Sequence, residues 1–328
     1  MFATFAAILI LRIMFESVFQ KAIIGSIILI LIIGCKNDLY KNEAEWKLAW
    51  RMWESESLDK NYVLGARQFD SLLAIKSDIE PNLLISGVRC LAETNQYPKA
   101  YTILLNNPHI FEHNLCVESW FKPPNTREWG DICIRMDNKT DLLFPQIRED
   151  LLIMYFNDQL ARGREIRSLI METGYRMSEE KIYDEDIDGT DKINIEKLKI
   201  IIEEIGFPNR KMVGKQGMLS IYTIIRNANK YPEFQETQLK NVKIAADQGD
   251  LSMEEYAYLF DRVKLNSGEK QVYGTHFSAP EYANRKAVLM PIIDEEKLDE
   301  RRRELGLMPI ELFKRLLLFE FEGTNSIS

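Results

Sequence analysis

The chain is 328 residues long and poor in the features that mark most specialised protein classes. Its four cysteines are too few for a disulfide scaffold, and none forms the CxxC pair typical of zinc sites. Positive charge is not in excess: 42 Lys and Arg stand against 50 Asp and Glu, a net charge of −8. That balance argues against a general nucleic-acid binder, which needs clustered cations to neutralise phosphates. No Gly-x-Ser-x-Gly elbow, Walker loop or His-Glu-x-x-His pair occurs, so the most readable hydrolase, nucleotide and zinc-protease signatures are missing. The apolar run at 22–33 is shorter than the roughly 20 residues that span a bilayer. What is present is 46% apolar and 28% charged sequence, the composition of a folded soluble body. The length allows about two domains.

Lys21 precedes the apolar run and Gly34-Cys35 ends it. A charge, then an apolar stretch, then a small residue is the order of an export signal. Ile32-Ile33-Gly34-Cys35 resembles the bacterial lipobox. The resemblance implies that Cys35 receives a diacylglyceryl group and becomes the first residue of the mature chain, with Lys36-Asn37-Asp38 opening a polar tether. One chain anchors weakly, at about 0.8 kcal/mol per buried CH2, whereas two or three anchor stably. The alternative is an uncleaved signal anchor. A signal starting at Met14 is better proportioned than one starting at Met1, which adds a second short apolar run from Phe2 to Leu11. The expected location is the cell envelope, lipid-anchored on the outer or inner membrane and facing the periplasm or the cell surface. In that oxidising setting Cys116 and Cys133 are candidates for a disulfide closing the loop that holds Trp120 and Trp129. A bridge there would add about 3 kcal/mol in the loop-entropy model. They read equally as two small buried residues, and Cys90, at helical spacing, reads as core.

The expected fold is mainly α: tetratricopeptide-like helical hairpins in front, packed with a helix-rich C-terminal domain. Residues 1–35 are read as the signal, 36–145 as the hairpin region, 146–190 as a connecting helix with an acidic linker, and 191–322 as the helical domain. In the front, apolar residues recur at helical spacing: Trp46, Trp50 and Trp53; Ala66, Phe69, Leu72 and Leu73; Leu83, Leu84, Val88 and Leu91; Tyr101, Leu104 and Leu105. Breaks are expected at 58–61, 80–81 and 93–96. A shift of 34 residues superposes Trp50 on Leu84, Ala66 on Ala100 and Phe69 on Ile103. With Tyr97-Pro98-Lys99-Ala100, this is similar to the tetratricopeptide repeat, although Asp70 stands where the repeat carries an aromatic. His109 and His113 are four apart but lie beside Pro108 without a carboxylate cluster, and read as surface histidines.

The acidic stretch from Asp184 to Gly189 opens like a calcium loop. Position twelve of such a loop falls on Ile195, one residue before Glu196. The stretch therefore reads as a solvated linker ending in a helix N-cap, and no metal or cofactor is expected.

Farther on, Leu198, Ile201, Ile202 and Ile205 form a helix stripe stopped by Gly206-Phe207-Pro208. Helices are expected from about Met218 to Asn229 and from about Gln235 to Gln248. Ser252-x-x-Glu255 is a capping box opening the helix that carries Asp261-Arg262-Val263. Gln271-Val272-Tyr273-Gly274-Thr275-His276 closes the segment. With Asp158-Gln159, Asn194, Val213-Gly214 and Arg301-Arg302 before Gly306-Leu307, this order resembles the bacterial family known as domain of unknown function 6624. The resemblance covers roughly Leu151 to Leu318 and implies a domain rather than a chemistry. Three positions depart from the family pattern: Phe207 for the usual Trp, Arg226-Asn227-Ala228 for Gln-His-Ala, and His276 for the usual Gln.

Two functional readings stand side by side. As an enzyme, His276 would be the acid or base, Asp261 its orienter, Arg262 an anion clamp, and Gln271 and Tyr273 further polar lining. As a binding module, the hairpins would offer a concave face to an envelope protein. Arg262, Gln271, Thr275, Arg301 and Arg302 would be the binding side chains. The bland alternatives are a helix-end ion pair for Asp261-Arg262, a packed turn for Tyr273-Gly274-Thr275, and a solvated run for Arg301 to Arg303. Binding is the preferred reading.

Overall fold

A computed structural model of the protein describes residues 40–76, 79–107, 142–281 and 286–325. Cys35 and the rest of the signal, His109, His113, Cys116 and Cys133 lie outside the described residues. Tyr40–Ser328 is one compact unit, and it is mainly helical, as expected. Among the described residues no helix is long and apolar enough to cross a membrane.

Four helices open the unit: α1 (Glu43–Ser57), α2 (Tyr62–Ile75), α3 (Pro81–Glu93) and α4 (Tyr97–Asn106). The expected break at 58–61 falls between two helices, and those at 80–81 and 93–96 fall at helix ends, overlapping the helix by one residue each. The starts are local: Asn42, Asn61 and Glu80 each use a side-chain oxygen to accept an N–H three residues on, the ordinary N-cap. The stripes meet one another, so that Trp46, Phe69, Leu72, Leu83, Leu84, Val88 and Leu91 are buried. A Cβ at Gly87 would lie 2.3 Å from the Phe69 ring, so α2 and α3 approach at a distance only glycine permits.

The C-terminal part is built on α5 (Pro145–Ala161), whose residues from Leu151 to Gln159 are nearly all buried. A helix buried on every side is a core helix. Around it stand α6 (Ile166–Thr173), α7 (Ile187–Ile205), α8 (Arg210–Asn227), α9 (Pro232–Asp247) and α10 (Met253–Asn266). Leu151, Met154, Leu198, Ile221, Tyr222, Ile225 and Leu259 share one apolar cluster. Helix α7 starts within the acidic stretch read as a linker, because Asp186 accepts the Gly189 N–H at 2.9 Å as its N-cap. Helix α8 begins ahead of Met218 because Asn209 caps a first turn. The chain then bends at Gly214, whose φ of 72° disfavours any residue with a Cβ.

After α10 the chain makes a short antiparallel hairpin, β1 (Phe277–Glu281) and β2 (Lys286–Leu289), then α11 (Leu298–Glu304) and α12 (Ile310–Asn325). The last two elements return to the front helices. Trp46 donates its indole N–H to the Leu307 carbonyl at 2.8 Å, and Arg315 pairs with Glu54 and Asp59.

Candidate functional site

Asp261 sits on α10 with no exposed surface. Its Oδ1 accepts N–H groups from Val272 at 2.7 Å and Tyr273 at 3.0 Å. Its Oδ2 accepts the Thr275 N–H at 3.0 Å and the Thr275 hydroxyl at 2.9 Å. A buried carboxylate is tolerable when donors surround it, and here the donors are successive groups of the 271–276 turn. Gly274, at φ 67°, lets the turn close on one side chain. Gln271 does the complementary work. Its Nε2 donates to the His276 and Met290 carbonyls at 2.8 and 2.7 Å, and its Oε1 accepts the His276 N–H at 2.9 Å.

Arg301 and Arg302 complete the brace. Arg301 donates to the carbonyls of Val272, Asp294 and Ile293. Arg302, almost wholly buried, donates to those of Met308 and Tyr273, and burial pulls its pKa down to about 10. Tyr273 turns its ring onto Phe260 and Tyr256 in the apolar cluster. Of the residues singled out in the sequence, Asp261, Gln271, Tyr273, Arg301 and Arg302 thus hold the turn by its backbone or pack beneath it.

Thr275 joins Asp261 to His276, beside which Arg262 lies. Thr275 has one hydroxyl proton and gives it to Asp261. The 2.9 Å contact between Thr275 Oγ1 and His276 Nδ1 therefore assigns the ring proton to Nδ1. The Nε2 lone pair is buried and meets no partner. The imidazole lies against the Tyr258 ring, centroids 4.2 Å apart. Burial first, and the Arg262 charge second, pull its pKa down to about 4, so the ring is neutral near pH 7. Arg262 does not turn to Asp261. Its guanidinium lies over the Tyr258 ring and donates to that residue's hydroxyl at 3.1 Å.

A polar seam continues from there onto α8. The Tyr222 hydroxyl is within electrostatic range of Tyr258, Arg262, Arg226 and Glu255, and burial raises its pKa far above the usual phenol range. Arg226 stacks on Tyr222 and approaches Asn227 Oδ1 at 3.4 Å. Asn227 donates to Asp158 at 2.8 Å. Asp158 also accepts from Gln159 at 2.6 Å and pairs with Arg162, which bridges to Asp191. Burial raises the pKa of Asp158, and the Arg162 charge opposes that rise. Gln235 on α9 locks the framework, donating to the last carbonyls of α8 and accepting from Asn266 on α10.

A family model described as a family of unknown function (DUF6624) matches residues 145–323, more than half of the chain. The chain belongs to this family. No curated protein and no solved structure matches it. Of the positions that carried the DUF6624 resemblance, Asp158-Gln159, Asp261-Arg262, Gln271 through Thr275 and Arg301-Arg302 lie on the seam or its brace, and two of the departing positions, Asn227 and His276, lie there with them. Asn194, fully buried, donates to the Met154 carbonyl. Sequence reasoning left Tyr222, Arg226, Tyr258 and Arg162 unassigned. One signal was there to be read: a tyrosine stands four residues before an arginine in both Tyr222–Arg226 and Tyr258–Arg262.

No cluster of three or more His, Cys, Asp or Glu side chains is placed to hold a metal among the described residues. Two grooves lie away from the seam. One of about 580 Å³ runs between α7 and α9, lined by Lys199, Glu203, Lys230, Tyr231 and Phe234 among others. Another of about 310 Å³ lies between α1 and α12, lined by Trp50, Arg51, Glu54, Leu312 and Arg315 among others.

Proposed function

We propose that the protein is a lipid-anchored component of the cell envelope, held through Cys35, whose folded body is a binding module for an envelope partner. The observation that carries the binding half is how the polar run is spent. Asp261 and Gln271 have their hydrogen-bonding capacity taken up by the turn that they hold. The imidazole that an enzyme would need as its base has a pKa near 4. A general base works best with a pKa near the operating pH, so such a ring abstracts protons poorly at neutrality. It remains suited to accepting a hydrogen bond. The front helices, read as tetratricopeptide-like hairpins, supply a second face. The anchor rests on the order Lys21, apolar run, Gly34-Cys35.

Two measurements test this reading. Replacing Cys35 by serine should move the protein from the membrane fraction to the soluble fraction of fractionated cells, and retention in the membrane would overturn the lipid anchor. Affinity capture of the full-length chain from detergent-solubilised envelopes should bring down a specific partner in constant ratio. Recovery of nothing above a control lipoprotein would count against the binding module.

A further inference from the structure

Tyr222 with Arg226, and Tyr258 with Arg262, repeat one arrangement on two helices. Each guanidinium lies over the ring of the tyrosine one turn back, at 5.8 and 5.7 Å. Stacking on an aromatic face holds a guanidinium in place and leaves its donor edge open. Four other arginines are matched by carboxylates, Arg89 by Glu56, Arg162 by Asp158 and Asp191, Arg164 by Glu172, and Arg315 by Glu54 and Asp59, while Arg148, Arg301 and Arg302 give their protons to amide or carbonyl oxygens. Among the described residues, neither Arg226 nor Arg262 has a carboxylate at ion-pair distance. Glu255, the nearby acid, uses one oxygen to accept the Ser252 N–H of its capping box. In an acidic protein, two stacked cations without counter-charges leave electrostatic room for an anion.

Two buried atoms say more about its chemistry. Arg262 Nε is a donor without an acceptor, and His276 Nε2 is an acceptor without a donor. His276 is only 6% exposed, and buried polar atoms left unmatched cost free energy. A guest that satisfies both must bring charged oxygens together with one O–H or N–H. Tyr258, whose ring lies against the imidazole, and Arg262, whose charge reaches it, are themselves only half-buried.

We propose that Arg226, Arg262, Tyr222, Tyr258 and His276 form a binding site for a phosphate group that retains a proton, its oxygens taken by the two arginines and its O–H given to His276 Nε2. This rests on the binding-module reading and gives it a ligand class. Hydrogen phosphate carries the required donor. Sulfate has similar shape and charge but carries none.

Calorimetric titration of the full-length chain in detergent at pH 7, with sodium phosphate and with sodium sulfate at matched ionic strength, tests the proposal. Phosphate should bind about tenfold or more tightly than sulfate, because a site built around a donor rejects the analogue that lacks it. Arg226→Gln should weaken phosphate about tenfold or more, the loss expected for a charge-assisted contact. This variant decides the matter if His276→Leu fails to fold, since within the protein Arg226 makes one long polar contact and a stacking contact. Where His276→Leu, which has no acceptor, folds, as judged by circular dichroism, the preference for phosphate over sulfate should shrink toward unity. Equal binding of the two anions, no binding of phosphate at tens of millimolar, or an unchanged affinity in Arg226→Gln would overturn the site. If a partner is captured while phosphate does not bind, the site falls and the binding module stands. If phosphate binds and no partner is captured, the site stands and the partner falls.

Discussion

The front helices and the DUF6624 part solve the problem of burial in different ways. Between α1 and α4 the interior is apolar surface against apolar surface, with glycine where two backbones crowd. Several buried polar groups there pair side chain with side chain, Glu56 with Arg89, Glu45 with Lys76 and Ser55 with Gln68, while the Trp46 indole reaches a backbone carbonyl. In the back part, several buried polar side chains hold backbone, beside the side-chain network of Asp158 with Asn227, Gln159 and Arg162. Asp261 gathers the 271–276 turn, Gln271 ties it to the returning strand, and Gln235 caps α8. Asn157 fastens the connection before α7 by donating to the Lys181 carbonyl and accepting the Tyr183 N–H. The first strategy tolerates changes in chemistry but not in volume. The second tolerates small changes in volume but not the loss of a hydrogen-bonding atom.

The largest test of that contrast is Asp261→Ala. It strands three buried N–H groups, each worth about 1–3 kcal/mol when left unmatched, so the cost should be roughly 4 kcal/mol or more in urea unfolding. A loss under about 1 kcal/mol would mean that the turn stands without its carboxylate. Next comes His276→Gln, read through pH. The folded pKa of about 4 lies below the ordinary 6.5, so the unfolded chain binds the extra proton between those values. The stability tied to the neutral ring is complete above pH 6.5 and falls away as pH drops toward 4. The variant lacks this dependence. Its stability relative to the parent should improve by about 3 kcal/mol from pH 7 to pH 4, and a pH-independent difference would show a normally titrating histidine. The smallest effect is expected in the front half, where Gly87→Ala presses a methyl into Phe69. Overpacking of that kind costs about 1–3 kcal/mol. Thermal unfolding unchanged in Gly87→Ala would break the claim that volume governs this half.

Much of the helix pattern is legible in the sequence because its signals are local. Ser252 and Glu255 form both bonds of the capping box, Gly206 ends α7, and the front breaks fall between helices or at their ends. Boundaries were missed where a cap precedes the apolar stripe, as with Asp186 and Asn209. The site was legible only as a list of promising residue types. Asp261-Arg262 suggests an ion pair or an orienter with its clamp, yet the two side chains part. One reaches backbone 11 to 14 residues on, and the other reaches Tyr258 one turn back.

By itself, then, the sequence determined the helical class, most element ends, the expectation of a lipid-modified Cys35 and the resemblance that the DUF6624 match bears out. Each depends on residues within a few positions of one another. Which polar residues are spent and which are left free was decided only by tertiary structure. That depends on which donors a carboxylate or an amide meets across many intervening residues. Asp261 and Gln271 lost their chemistry to the backbone, while Arg226, Arg262 and His276 kept theirs.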